Sequence, residues 1–120
     1  MKKVFALRGA VQCENTVKDI SDQVTEMYDR LLQGNKLAEN DIISVIFSVT
    51  QDLNAVNPCS ALRKNSRAGE LSLFSAAEPE CKNSVERIIR VMIHCYLEEG
   101  AKLNHVYING AEVLRPDRRG

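Results

Sequence analysis

Tryptophan is missing from this sequence of 120 residues, and its aromatics amount to three Tyr and three Phe. That leaves little material for a platform on which nucleic-acid bases could stack. A surplus of one charge is missing too. Sixteen Lys and Arg balance sixteen Asp and Glu, so no global field draws in nucleic acid or an anionic membrane. Any anion must be captured by local groups. No apolar run approaches the roughly 20 residues that a membrane span needs. Lys2 and Lys3 precede Val4-Phe5-Ala6-Leu7, but Arg8 cuts that run short of the roughly 7–15 residues of a secretory h-region. Cys13, Cys59, Cys81 and Cys95 form no CxxC pair and have no zinc-ligand spacing; they read as reduced thiols of a cytoplasmic protein. GxGxxG, Walker, HExxH and GxSxG motifs are absent. The two histidines, His94 and His105, have no ligand set beside them, so they read as surface or partly packed imidazoles. Covalent, metal and nucleotide chemistry thus lack local support, and no cofactor is expected.

What is present fits one domain over residues 1–120, with an expected radius of gyration of about 14 Å. Residues 3–12 alternate as a strand does. From residue 16 to 33 the period changes: Ile20, Val24, Met27 and Leu31 recur at helical spacing, Asn15 or Thr16 can cap the start, and Gly34 stands where a left-handed residue would end the helix. Residues 42–49 are β-branched and apolar, a buried strand. Asn57-Pro58 reads as an N-cap and first helical residue of a short helix to about Asn65. Residues 71–75 alternate as a third strand. Residues 85–97 fit a helix or a strand by periodicity, and their Ile and Val content tilts the reading toward strand. Asn109-Gly110, between residues 105–108 and 112–114, predicts a hairpin. The order implies an α/β or α+β domain with a mixed sheet and two main helices.

Arginine stands in unusual places. Arg8 interrupts the first strand, Arg90 lies between Ile89 and Val91 in the most apolar segment, Arg63 is in the short helix, and Arg115 follows Leu114. A guanidinium in an apolar strand is costly unless it reaches a partner or a solvent-filled pocket. It is also the donor that grips a carboxylate with two parallel hydrogen bonds. Glu78 could balance such a site, and Tyr107 could add a phenolic donor. Structural salt bridges and a small-molecule polyanion site both remain open on spacing alone.

The segments ALRGAVQCEN, SVTQDLNAVNP, IIRVMI, HVYINGA and VLRPD, read in order, resemble the monofunctional chorismate mutases of the AroH type. The resemblance runs from about Leu7 to Asp117. It implies a pseudo-α/β-barrel homotrimer with a site in each cleft between subunits. It also implies the cofactor-free rearrangement of chorismate to prephenate in aromatic amino-acid biosynthesis. By that resemblance Arg90 contacts the substrate's ether oxygen and a carboxylate, Arg8 and Tyr107 hold carboxylate, Glu78 bonds the ring hydroxyl, and Arg63 comes from the neighbouring subunit. Leu73, Phe74, Ser75, Leu114 and Arg115 complete the expected binding surface. The same resemblance makes 87–97 a strand and puts Arg90 beside His94 on its polar face.

The sequence departs from the family at Asn57, where Phe is usual, at Ser60, where some members have Lys, and at Ser75, where some have Cys. If an apolar wall is needed at 57, Asn57→Phe should lower KM with little change in kcat. Arg118, Arg119 and Gly120 follow directly after the RPD segment, so any cover from that end is expected to be short. A non-catalytic chorismate- or carboxylate-binding protein, and an interaction module with its arginines in salt bridges, are the alternatives.

Overall fold

In the computed structural model, which describes residues 1–65 and 68–115 without the side chain of residue 65, β1 spans Lys2–Gln12. Leu7, Gly9 and Val11 turn toward the core, while Val4 and Arg8 face out. α1 (Val17–Gly34) starts at Thr16, whose hydroxyl accepts the Asp19 N–H at 3.0 Å. Its stripe of Ile20, Val24, Met27 and Leu31 is buried, as the spacing predicts. Its end differs from expectation. Gly34 is still helical, and the left-handed residue is Lys36, with φ 50°. Leu37 N–H reaches Leu32 O at 2.9 Å and Lys36 N–H reaches Gln33 O at 3.3 Å, the paired bonds of a Schellman closure. Burial of Leu37 against the core fixes where the chain turns.

β2 (Ile42–Val49) and α2 (Pro58–Asn65) lie where the sequence puts them. β3 (Leu73–Ala77) begins two residues later than its alternation suggests, because Leu71 N–H first closes a 3-10 turn onto Ala68 O at 3.2 Å. β4 (Ile88–Glu98) is a strand, but Arg87 is outside it, held left-handed at φ 54°. Both Asp52 carboxylate oxygens accept the Arg87 backbone N–H, at 3.0 and 3.2 Å, and the Arg87 guanidinium reaches Glu14 at 2.8 Å. That junction ties the end of β1 and the loop after β2 to the residue just before β4.

β5 (Val106–Ile108) corrects the expected hairpin. Asn109 and Gly110 do turn with positive φ, 55° and 109°, but no second strand follows among the described residues. β5 lies parallel to β1, and residues Ala111–Leu114 form a 3-10 turn that buries Ala111 against Ala10, Ile88 and Tyr107. The apolar spacing of Ala111 and Leu114 is that of a 3-10 face, and packing it outweighs return pairing. Residues 116–120, where a short cover was expected, lie outside the described part.

The sheet runs β3-β2-β4-β1-β5, with β4 antiparallel to both neighbours and the β2–β3 and β1–β5 pairs parallel. This is the expected mixed sheet with two main helices, and the radius of gyration is 13.7 Å. α1 and α2 cover one face, around fully buried Phe47, Leu7, Leu31 and Leu62. The other face carries large apolar side chains in the open: Phe74 is 65% exposed, Val4 56%, Tyr96 44% and Ile46 38%. All four cysteines are free thiols, with Cys13 pushed up to about 11, chiefly by burial. No helix among the described residues is long and apolar enough to cross a membrane.

Gly9 lies where β5, β4 and α1 converge on β1. A Cβ there would stand 3.0 Å from Val106 O, 3.2 Å from Val91 Cγ1 and 3.3 Å from Leu31 Cδ1. Gly9→Ala should therefore destabilise the chain by about 1–3 kcal/mol through overpacking. Urea unfolding with an unchanged midpoint would show that β5 yields at no cost.

Candidate active site

The bare face of the sheet opens into a cleft of about 400 Å³, a size suited to a small ligand. Register explains who lines it. Arg8 on β1 and Ile46 on β2 both pair with Met92 of β4, and Ala10 and Ser48 both pair with Arg90. Tyr107 comes from β5 opposite Ala10, and Arg115 follows the 3-10 turn. Arg8, Arg90, Arg115 and Tyr107 thus meet around one space, with three guanidinium groups on its wall. Leu114 packs beside them on the Ile88–Tyr107 cluster.

Arg90 has the partner that its apolar strand demands. Its Nε donates to Glu78 Oε1 at 2.8 Å. Glu78 is only 13% exposed while Arg90 is 43% exposed, so the carboxylate is the inner member and the guanidinium reaches on toward the cleft. Glu78 is itself anchored: its backbone N–H reaches Val49 O at 2.9 Å, and its Oε1 accepts from Ser48 Oγ at 2.9 Å. Ser48, Ile46 and Met92 line the cleft although their sequence context gives no chemical signal beyond an alternating strand. His105 has a role that sequence reading missed: its Nδ1 accepts the Arg8 backbone N–H at 3.0 Å, holding β1 beside the approach to β5. His94 lies on the same sheet face as Arg90, with Nδ1 3.2 Å from Ser44 Oγ.

Glu78 itself borders a neighbouring hollow of about 170 Å³, beside Thr50 and Asp52, and the remaining expected residues are not in the cleft either. Of these, all but Phe74 gather at the other side of the edge strand, around α2. Asn57 Oδ1 accepts from Cys59 N–H at 2.8 Å, capping α2, and from Ser75 Oγ at 3.2 Å. Arg63 donates to Gly69 O and Leu71 O, each at 3.2 Å. Ser60 is exposed on α2, Leu73 packs against the core, and Phe74 projects onto the bare face opposite Ile46. A shallow groove of about 310 Å³ runs past Asn57, Pro58 and Ser75. One chain therefore holds two separate surfaces: a guanidinium cleft on the bare face and a polar edge at α2 and β3. Among the described residues no cluster of His, Cys, Asp and Glu could hold a metal ion.

The geometry of Asn57 changes what its replacement does. Asn57→Phe, expected from sequence to tighten binding, also removes the α2 cap, and should cost about 0.5–2 kcal/mol of stability. A thermal or urea melt matching that of the unsubstituted chain would show the cap to be dispensable.

Residues 4–118 match the family described as "Chorismate mutase type I". The chain is 32% identical over 117 residues to "Chorismate mutase AroH" of Thermus thermophilus, covering 95% of each protein. It is 27% identical over 116 residues to the Bacillus subtilis (strain 168) protein of the same name, covering 95% of this chain and 91% of that one. Among solved structures, "Chorismate mutase from Clostridium thermocellum Cth-682" superposes with a TM-score of 0.83 at 37% identity, covering 91% of this chain and 98% of the other.

Proposed function

The chain belongs to the type I chorismate mutase family, and on that premise we propose that it works as a homotrimer, the α2–β3 edge of one copy closing the guanidinium cleft of the next. The reaction is an isomerisation, the rearrangement of chorismate to prephenate in aromatic amino-acid biosynthesis. The non-catalytic alternative is not favoured. The observation that carries the shared site is the separation just described: Arg63, Asn57 and Ser75 cannot reach the Arg8–Arg90–Arg115 cleft of their own chain across the sheet. The exposed Phe74, Ile46, Val4 and Tyr96 are apolar area that a second copy would bury. Four free thiols support the cytoplasm as the compartment.

Chorismate carries two carboxylates and reacts within itself: one C–O bond breaks as one C–C bond forms, with no proton or electron exchanged with the protein. The protein's task is to hold a compact substrate shape and meet the charge that develops. Arg8, Tyr107 and Arg115 grip carboxylate, with Leu114 beside them. As the C–O bond stretches, negative charge grows on the enolpyruvyl oxygen, and the Arg90 guanidinium faces it. Glu78 accepts the ring hydroxyl and stands near the positive character of the ring. Arg63, Ser60, Asn57, Leu73, Phe74 and Ser75 of a neighbouring copy cover the open side. Arg90 acts on charge that appears only in the transition state, which raises kcat; Arg63 acts on charge present throughout, which lowers KM.

Loss of chorismate absorbance gives the test. Arg90→Lys keeps the charge but not the planar fork, and should lower kcat by about 10²–10³. Arg63→Ala should act mainly on KM, with an effect that weakens as salt rises. Near-normal kcat in Arg90→Lys would overturn the role given to Arg90. Sedimentation should find a trimer, and a stable, active monomer would overturn the shared site.

A further inference from the structure

Ser48 takes no part in the assignments made so far, yet it stands at a crossing point. β2 lies between β3 and β4 in the sheet. Glu78 follows the last residue of β3, so its side chain must pass over β2 to reach Arg90 on β4. The residue it passes is Ser48, the direct cross-strand partner of Arg90. At that point Ser48 Oγ donates to Glu78 Oε1 at 2.9 Å, the same oxygen that accepts Arg90 Nε at 2.8 Å.

A carboxylate on a long side chain rotates freely about its last torsion, because that torsion has no staggered wells. One donor sets a distance; two donors converging on one oxygen from adjacent strands also set the rotation. Glu78 is only 13% exposed, so water does not readily replace a lost donor. Resting on the chorismate mutase reading of the cleft, we infer that Ser48 is a positioning residue, whose hydroxyl fixes the Glu78 carboxylate so that Arg90 is held by Nε and keeps its Nη edge for the substrate. Placing both internal donors on Oε1 keeps Oε2 for the ring hydroxyl. A short side chain is required, since Glu78 crosses directly above it.

Three variants test this: Ser48→Ala, Ser48→Cys, which keeps the size with a much weaker donor, and Ser48→Thr, which keeps the hydroxyl. In nitrogen-15 NMR of the unliganded protein, the Arg90 Nε–H signal should persist in the wild type and Ser48→Thr and exchange away in Ser48→Ala and Ser48→Cys. In the chorismate assay, Ser48→Ala and Ser48→Cys should lose about tenfold in kcat with KM within about twofold, and Ser48→Thr should recover most of that loss. Ser48→Cys that keeps both the Nε–H signal and the kcat overturns the inference. A rise in KM alone also overturns it, because Ser48 would then be a binding contact. A wild-type protein that leaves chorismate unchanged defeats the functional reading instead, and the Nε–H comparison still decides Ser48.

Discussion

A guanidinium rooted in the central strand of the sheet has to find an anion, and much of this fold is arranged around how Arg90 finds one. β4 alternates strictly, so every second side chain from Ile89 to Leu97 enters the helix-covered core and Arg90 falls on the other face. The anion arrives from two strands away, on the residue just after β3. A one-residue slip of β4 would drive Arg90 into the hydrocarbon core and Ile89 into the cleft. Register is therefore held hard at the strand's start, where Thr50 Oγ1 accepts the Ile88 N–H at 2.9 Å and Asp52 takes that of Arg87.

The second constraint is one of area. Two helices suffice to cover one face of a five-stranded sheet, and in this chain they do so on the side away from the cleft. The bare side thus combines what solvent tolerates poorly, exposed Phe and Ile, with what an anion requires, several guanidinium groups in one hollow. In the proposed trimer, assembly and substrate capture draw on the same surface.

Much of this was legible along the chain. The α1 stripe, the β-branched run of β2 and the Asn57-Pro58 start of α2 are local signals, and local signals survive folding. The misplaced features were settled by distant contacts. Asn109-Gly110 has hairpin chemistry, but burial of Ala111 on Tyr107 outweighs a return strand. Arg87 looks like a strand residue until Asp52, 35 positions earlier, claims its N–H. Gly34 invites a left-handed turn that burial of Leu37 moves to Lys36. In the site, the arginines stand out because they are out of place in apolar runs, whereas Ser48 and His105 do not, since serine and histidine are unremarkable on a half-open strand or loop. What marks them is whom they meet.

The pairing of β1 with its two neighbours also sets a timetable. Arg8 and His105 touch across 97 positions of chain, and β1 cannot complete either of its ladders until β4 and β5 exist. Contacts of such separation close slowly, because a long loop must be ordered before any of them is gained. During synthesis β1 and α1 can meet early, but they do so with both edges of β1 open to other strands. Tyr107 and Arg115 take their places only when β5 docks, so the cleft is among the last parts of the molecule to form. A chain stalled before that step would be helical, partly packed and sticky, and it would lack the guanidinium cleft.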